Sequence, residues 1–259
     1  DLHTFCLDPA AAEAAVTERT RAIMPVHLYG HPADMDRIAD LARRKDLLVL
    51  EDAAQAHAAR WSDHPVGALG DAAAFSFYPT KNMTSGEGGM VTTSSADVAR
   101  TVQLLRNQGM EKRYHNEIVG FNTRMSDIHA AIGRVQLRKL PKWTEQRQQN
   151  ARFLTDNLTG VITPHVDDRA EHVFHQYTIR VAANERDAFV QRLAERGVGS
   201  GVYYPVPVHA LPSFDLDVDL PQTRRAASEV ISLPVHPALR QQDLETIVIA
   251  VNSVAEAGA

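Results

Sequence analysis

The sequence predicts an α/β protein in which a mainly parallel sheet is flanked by helices, followed by a smaller α+β region. Two observations predict this class. The apolar runs 47–50 and 72–77 are short and continuous, which is typical of strands covered on both faces of a parallel sheet. A helical pattern over residues 33–44 precedes the first run, and alternation of strands with helices is typical of α/β folds.

The first third of the chain supplies most of the predicted strands. Residues 22–26 are predicted to form a short strand, and Met35, Ile38 and Leu41 follow it at helical spacing. Residues 90–93 are predicted to form another short strand after the two apolar runs.

The predicted helices then become longer. Ser95 or Ser94 can cap a helix that ends at Gly109, because serine accepts a hydrogen bond at a helix start and glycine is common at a helix end. Ser126 can cap a second helix, for which Pro141 marks the predicted end.

The remaining sequence differs in texture. A strongly polar helix is predicted over residues 142–157, which suits a connector between domains. A half-buried strand, a helix, a proline-interrupted extended segment and an amphipathic helix are predicted next, at residues 173–181, 186–196, 202–208 and 244–254. We therefore predict a large domain over residues 1–140 and a small α+β domain over residues 141–259.

Composition excludes several classes of protein. The chain has 259 residues, 44% of them hydrophobic, and 27 Lys and Arg against 32 Asp and Glu give a net charge of −5. Such a chain can bury a core, and its lack of a basic patch argues against a nucleic-acid partner. The single Cys6 excludes an intrachain disulfide and a cysteine-based zinc cluster, and no metal site is predicted. No membrane-spanning run or leader is recognised, so we expect a cytoplasmic protein without a membrane partner.

Two reactive side chains follow predicted strands. Asp52 comes after residues 47–50 and Lys81 after residues 72–77, and ligands of α/β sheets bind beyond the carboxyl ends of strands. A lysine that forms an imine and a carboxylate that keeps a pyridine nitrogen protonated suit a pyridoxal phosphate (PLP) site. Taken singly, Lys81 is more typical of a solvated surface residue and Asp52 of a helix cap or turn. Gly86–Gly89 alone fits a flexible turn or a phosphate loop of another kind.

The order and spacing of several motifs is more specific than any one of them. These motifs are PVHLYG at residues 25–30, EDAAQAH at 51–57, SFYPTKN at 76–82, GEGG at 86–89, GFNTRMS at 120–126 and YYPVPVH at 203–209. Together they resemble the sugar aminotransferase family DegT/DnrJ/EryC1/StrS of fold-type I PLP enzymes, over nearly the whole chain. The fold that the resemblance implies is therefore the fold-type I transferase fold.

The resemblance also implies roles for individual residues. Lys81 would be the Schiff-base lysine, Asp52 would hold the pyridinium nitrogen, and Gln55 would lie against the ring near its phenolic oxygen. Ser76 would donate its hydroxyl to the cofactor phosphate. Asn122 would reach the phosphate of a neighbouring subunit, which implies a homodimer with a shared site, although from the sequence alone a turn residue is the better reading.

Two further residues are candidates for substrate binding. His209 lies where the family approaches its substrate, but its spacing fits a loop histidine equally well. Arg124 either contacts substrate or braces its loop. His27 and His57 fall within the matching motifs and are predicted to be packed, hydrogen-bonded structural histidines.

The resemblance implies an activity with alternatives. Some members replace the lysine with histidine and perform dehydration, so Lys81 favours the aminotransferase branch. An amino acid, by resemblance glutamate, would donate the amino group to a keto group of a nucleotide-linked sugar, and the stretch at residues 84–89 favours C4 of a 4-keto-6-deoxy sugar. The alternatives are a cyclitol or aminohydroxybenzoate-type ketone, or a non-catalytic remnant that serves as a binding or regulatory module.

The sequence departs from the family pattern at its beginning. Relatives carry an N-terminal block ahead of the segment that corresponds to residues 2–8, and that block supplies strands, a phosphate-gripping helix start and a group that stacks on the ring. If the chain is a piece of a longer protein, we expect the whole protein to be an aminotransferase. If 259 residues are the whole protein, we expect weak cofactor binding, an exposed apolar sheet surface and little activity.

Overall fold

The computed structural model describes residues 1–258, which form two compact units. The first, here called the lysine unit, consists of residues 6–142 and 169–173. The second, the C-terminal unit, consists of residues 1–5, 143–168 and the chain from residue 174 on. Each unit therefore takes residues from more than one stretch of the chain, and the division at residue 140 stays a prediction.

The lysine unit contains most of the strands. Its helices are α1 (Pro9–Ala15), α2 (Met35–Lys45), α3 (Ala96–Arg106) and the first part of α4 (Asp127–Asn157), with a 3₁₀ turn at Leu28–Gly30. Its strands are β1 (Ala22–Ile23), β2 (Leu48–Asp52), β3 (Arg60–Trp61), β4 (His64–Pro65), β5 (Ala72–Ser76), β6 (Gly89–Thr92), β7 (Met110–Lys112), β8 (His115–Asn116) and β9 (Ala170–Glu171).

The main sheet has the strand order β1-β2-β5-β6. The first three strands are parallel and β6 is antiparallel to β5. The predicted α/β class with a mainly parallel sheet is confirmed. Two small antiparallel sheets, β4-β3-β9 and β7-β8, complete the unit.

One face of the main sheet is covered by α2. Met35, Ile38 and Leu41 recur at helical spacing on this helix and are buried together with Ile23 and Val49 of the sheet. The helix begins where the Asp34 carboxylate accepts a hydrogen bond from the Arg37 amide, and it ends before Asp46, whose φ of 52° turns the chain. Burial of this apolar stripe stabilises the helix against the sheet.

The opposite face of the sheet is open within residues 1–258. Leu48 and Leu50 alternate with buried Val49, and they are 56% and 41% exposed. Met24, beyond β1, is 64% exposed, and Val91 on β6 is 42% exposed. We call this surface of Met24, Leu48, Leu50 and Val91 the open face.

The C-terminal unit is built around a two-stranded antiparallel sheet. Its elements are the second part of α4, β10 (Tyr177–Arg180), α5 (Arg186–Glu195), a 3₁₀ turn at Val208–Ala210, α6 (Pro221–Glu229), β11 (Val230–Leu233) and α7 (Gln241–Gly258). The core of the unit is formed by large apolar side chains of these elements that are fully buried, among them Leu154, Tyr177, Ile179, Leu193, Ile231 and Val251.

Two sequence predictions of local structure are wrong in detail. The two helices predicted on either side of Pro141 are one 31-residue helix, α4. Proline removes one backbone hydrogen bond, but buried Leu140 packs with Phe77 and Met83, and this packing holds the helix through the proline.

The second difference concerns β10, which is buried at all four residues and not half-buried. Its polar side chains are paired, Thr178 with Ser232 at 2.9 Å and Arg180 with Glu229 at 2.8 Å, so burial leaves these groups satisfied. The proline-interrupted segment predicted at residues 202–208 leads into the 3₁₀ turn at Val208–Ala210. Among residues 1–258 no helix combines the length and the apolarity needed to cross a bilayer.

Candidate active site

Strands β2 and β5 bring Asp52 and Ser76 to the same end and the same face of the sheet. Asp52 is paired in register with Ala74, and Ser76 lies two residues further along β5. Because side chains alternate along a strand, Asp52 shares its face with Leu48 and Leu50. The carboxylate and the hydroxyl therefore lie at the carboxyl end of the open face.

The Asp52 side chain is oriented by the backbone around it. Its Oδ1 accepts a hydrogen bond from the Ala54 amide at 3.0 Å. Its own backbone bonds Pro25 and His27, which joins the end of β2 to the segment after β1. In the part of the chain that the structure describes, Oδ2 accepts no hydrogen bond, so one carboxylate oxygen is available to a ligand.

Lys81 lies in the loop between β5 and β6, five residues after Ser76, the last residue of β5. Burial lowers the pKa of its ammonium group, and the nearby Asp52 carboxylate raises it by less. The net effect lowers the pKa from its ordinary value of 10.5, which favours the neutral amine. The structure therefore places the lysine and the carboxylate within electrostatic reach of one another.

The loop that carries Lys81 is held by its own side chains. Asn82 is buried and donates a hydrogen bond from Nδ2 to the Val173 carbonyl at 3.0 Å. Thr84 donates from Oγ1 to the Phe77 carbonyl at 2.9 Å and accepts from the Gly86 amide. These bonds fix the backbone on the far side of the lysine.

Gln55 is buried and accepts a hydrogen bond at Oε1 from the Tyr29 amide, at 2.7 Å. Tyr29 has a φ of 59°, so its amide is presented by an unusual left-handed turn. This contact fixes the orientation of the side-chain amide of Gln55, which lies three residues after Asp52. The predicted position of Gln55 against the cofactor ring stays a prediction.

Sequence reasoning missed the structural role of Glu51, whose side chain lies on the other face of β2 from Asp52. The Glu51 carboxylate is buried and accepts hydrogen bonds from the amides of Gly67, Leu69 and Gly70, each at 2.8 Å, and from His27 Nε2 at 3.1 Å. Burial alone raises the pKa of Glu51, but these bonds outweigh burial and lower it below 4.5. The paired acidic residues after an apolar strand were the available signal, because the two side chains of neighbouring strand residues face opposite sides.

Asn122 and Arg124 lie away from this cluster in an exposed loop. The Arg124 guanidinium donates a short hydrogen bond to the Asn107 side chain, and Asn107 forms a backbone bridge with Asn122. Arg124 also lines a cavity of about 320 Å³ with Arg100 and Arg106. The bracing function considered for Arg124 is thus visible, and its contact with substrate stays a prediction.

His209 belongs to the C-terminal unit, whereas the other predicted site residues belong to the lysine unit. It lies in the 3₁₀ turn Val208–Ala210 and is buried. Its Nε2 has no hydrogen-bond partner among residues 1–258. A buried nitrogen without a partner is uncommon, and it leaves His209 a candidate for ligand contact.

Two proteins of known sequence are similar to this chain over nearly its whole length. The Pleiotropic regulatory protein of Geobacillus stearothermophilus is 44% identical over 255 residues, which cover 95% of this chain and 68% of that protein. The dTDP-3-amino-3,4,6-trideoxy-alpha-D-glucose transaminase of Streptomyces venezuelae is 40% identical over 258 residues, which cover 96% of this chain and 68% of that enzyme.

Solved structures agree over the same length. DesV of S. venezuelae, solved in complex with a ketimine intermediate, has a TM-score of 0.95 at 38% identity and covers 99% of this chain and 71% of its own. Spr1654 of Streptococcus pneumoniae in its PLP form has a TM-score of 0.92 at 26% identity and covers 100% of this chain and 74% of its own. The model of one family matches residues 1–252. The chain therefore belongs to the DegT/DnrJ/EryC1/StrS aminotransferase family.

Proposed function

We propose that this chain carries the lysine site of a PLP-dependent aminotransferase that moves an amino group from an amino acid, by family resemblance glutamate, to a keto group of a nucleotide-linked sugar. Family membership supports the reaction class. The observation that carries the proposal is the cluster of Lys81, Asp52 and Ser76 at neighbouring strand ends, with the pKa of Lys81 lowered mainly by burial.

The donor set fits PLP group by group. Lys81 Nζ, whose pKa is lowered mainly by burial, suits the cofactor aldehyde. The free Oδ2 of Asp52 suits a protonated ring nitrogen, and the Ser76 hydroxyl suits the phosphate. Gln55, buried and fixed by Tyr29, suits the ring oxygen. When bound, PLP supplies an aldehyde for the amino group and a ring that withdraws electrons from the substrate carbon.

The side chains of this chain have distinct tasks in the reaction. Lys81 would hold the cofactor, and once released its Nζ would take a proton from the substrate carbon and deliver it at cofactor C4′. Asp52 keeps the proton on the ring nitrogen, because a carboxylate within hydrogen-bond reach favours the charged form. Burial around Lys81 prepares its amine to accept a proton, since burial disfavours the ammonium form.

A cofactor titration tests the proposal. PLP is added to the wild-type chain, Lys81→Ala and the matched control Lys112→Ala, whose lysine is exposed on β7. We expect visible absorbance of covalently held cofactor in the wild type and in Lys112→Ala but not in Lys81→Ala, and loss of that band on adding glutamate. Borohydride reduction followed by peptide mapping should place the cofactor on Lys81. A folded wild type that binds no PLP would contradict the proposal.

Two observations bear on which carbon of the acceptor sugar carries the keto group. The stretch at residues 84–89 favours C4 of a 4-keto-6-deoxy nucleotide sugar. The name of the S. venezuelae relative, a 3-amino-sugar transaminase, supports C3 as the competing position. Mass spectrometry of products from the 4-keto and 3-keto nucleotide sugars, each with glutamate, distinguishes them, and cyclitol and aminohydroxybenzoate-type ketones serve as the remaining acceptors. We further propose that Arg124 and His209 contact the substrate, so that Arg124→Ala and His209→Ala raise KM.

We also propose a homodimer with a shared site. Asn122 is exposed within a surface that includes Val119, Phe121 and Ile128, which are 91%, 63% and 75% exposed. Exposed apolar groups of this kind are typical of protein interfaces. If Asn122 completes the partner's site, a 1:1 mixture of Lys81→Ala and Asn122→Asp chains should regain about a quarter of the wild-type cofactor binding, because half of the dimers are mixed and each has one intact site. No regain in a mixed dimer would contradict the shared site.

A second candidate function is a non-catalytic regulatory or binding module. It is favoured by one observation, the name of the G. stearothermophilus relative, which is a regulatory protein by that name. The two candidates differ in the titration above. A colourless, folded protein supports the module, whereas cofactor bound through Lys81 supports the enzyme.

A further inference from the structure

His57 is the buried histidine closest in sequence to the proposed cofactor ligands. It is 3% exposed and lies beside the rings of Phe75 and Phe77, with ring centroids 5.6 and 5.9 Å away. Its Nε2 lies 2.7 Å from the Ser76 carbonyl oxygen. A carbonyl only accepts, so Nε2 carries the proton, and Nδ1 has no partner among residues 1–258.

The Ser76 carbonyl needs this donor because β2 ends too early to supply one. Two residues earlier, the Ala74 carbonyl accepts from the Ala53 amide on the β2 side of β5. Carbonyls two residues apart on a strand point the same way, so the Ser76 carbonyl also faces the β2 side. The chain has already turned away after Ala53, and the imidazole of His57 takes the place of the next rung of the ladder.

His57 can do this only as a neutral imidazole with its proton on Nε2. Burial lowers the pKa of His57 to about 4, the Ser76 carbonyl acts in the opposite direction, and the positive charge of Lys81 lowers the pKa further. The ring therefore donates one hydrogen bond over the whole neutral range and adds no second positive charge beside Lys81.

We propose that His57 is a positioning residue for the phosphate end of the cofactor site: through the Ser76 carbonyl it fixes the backbone, and thereby the hydroxyl, of Ser76. The proposal rests on the proposed function, because it assigns Ser76 to the phosphate. The Ser76 hydroxyl already accepts from the Tyr78 amide at 3.3 Å, so its oxygen is held from the protein side and its hydrogen can be directed outward to an anion.

The test compares a ligand that has the phosphate with one that lacks it. Dissociation constants for PLP and for pyridoxal are measured by absorbance for the wild type, His57→Phe, His57→Gln, Ser76→Ala and the double variant His57→Phe/Ser76→Ala. Phenylalanine keeps a ring beside Phe75 and Phe77 but cannot donate a hydrogen bond to the Ser76 carbonyl. The side-chain amide of glutamine can reach the position of Nε2 and donate that bond. His64→Gln, at an exposed histidine of β4, is the matched control.

A positioning role through Ser76 predicts a specific pattern. His57→Phe should weaken PLP binding about tenfold and leave pyridoxal within about twofold, since one hydrogen bond to the anion is lost. His57→Gln should restore most of the PLP affinity, and His57→Phe should add nothing to Ser76→Ala. Equal losses for PLP and pyridoxal, or independent effects of the two substitutions, would overturn the inference while leaving the proposed function intact. A wild type that binds neither ligand would overturn both.

A measurement on the wild-type chain keeps the inference testable should His57→Phe fail to fold. Long-range ¹H–¹⁵N NMR of histidine-labelled protein reports which ring nitrogen carries the proton, and the His57→Gln spectrum assigns the signal. We expect the Nε2–H tautomer, unprotonated at Nδ1, from pH 5.5 to 8. A proton on Nδ1 alone, or a charged His57 at neutral pH, would refute the arrangement.

Discussion

Replacing Glu51 with Gln should destabilise the lysine unit strongly. Each carboxylate oxygen holds two donors: Oε1 accepts from the Leu69 and Gly70 amides, and Oε2 from the Gly67 amide and His27. Whichever way a glutamine amide is oriented, its NH₂ group meets two donors that lose their acceptor. A buried donor left unsatisfied costs about 1–3 kcal/mol, so the free energy of unfolding should fall by roughly 4 kcal/mol.

The assay is urea and thermal unfolding of the wild type, Glu51→Gln and Glu111→Gln. Glu111 is an exposed partner of Arg100, and its loss should cost less than about 1 kcal/mol. For Glu51→Gln we expect the melting temperature to fall by about 8–16 °C, taking about 2–4 °C per kcal/mol for a chain of this size.

The pH dependence of the difference is a second check. The pKa of Glu51 is lowered in the folded protein, because the hydrogen bonds from His27 and the amides outweigh the opposing effect of burial. The stabilisation is therefore fully present above the unfolded value of 4.5 and is lost as the pH falls through the lower folded pKa. The gap between wild type and variant should narrow in acid. A Glu51→Gln variant as stable as Glu111→Gln, or a gap independent of pH, would refute the reasoning.

Three further predictions concern single side chains. Because burial lowers the pKa of Lys81, its reaction with an amine-selective reagent should reach half-maximum below the ordinary lysine value of 10.5, as peptide mapping across a pH series would show. A midpoint at 10.5 or above would contradict the assigned burial. Burial lowers the pKa of His57 from 6.5 to about 4, so the free energy of unfolding of the wild type should decline as the pH falls from 6.5 to 4. His57→Gln should remove part of that decline in urea unfolding. The same pH dependence in both proteins would count against a neutral His57 ring. Ile38→Ala, at a fully buried position, should cost about 2–5 kcal/mol, whereas Leu48→Ala on the open face should cost less than about 1 kcal/mol; equal losses would mean that the open face is covered.

The sequence allowed the main helices and the parallel strands to be predicted because their signals are local. Apolar residues at helical spacing identified α2, and continuous apolar runs identified β2 and β5. Pro141 was misleading, because the expectation of a helix end rests on backbone chemistry, whereas the observed continuation depends on Leu140 packing against residues nearly 60 positions earlier. Long-range packing of this kind leaves no local pattern.

The residues of the candidate site also differ in whether local sequence identifies them. Lys81 and Asp52 could be singled out because strand ends and reactive side chains are both visible in a sequence. The hydrogen-bond partners of Glu51 and His57 could not be predicted, because tertiary structure sets them. Glu51 accepts from amides of the loop before β5, and His57 donates to a carbonyl that strand register leaves without a partner. A histidine that acts as a rung of a sheet looks the same in sequence as one that fills a core.

The hydrogen bond from Asn82 to the Val173 carbonyl has a consequence for the synthesis of the chain. The two residues are 91 positions apart, and residues 169–173 return to complete the lysine unit after the whole of α4 has been made. At about 5–20 residues per second, a ribosome needs roughly 5–18 s to travel from one to the other. During that interval the loop around Lys81 lacks the Val173 carbonyl to which Asn82 later donates its hydrogen bond. The time at which this bond can form is therefore set by the translation of residues 83–173.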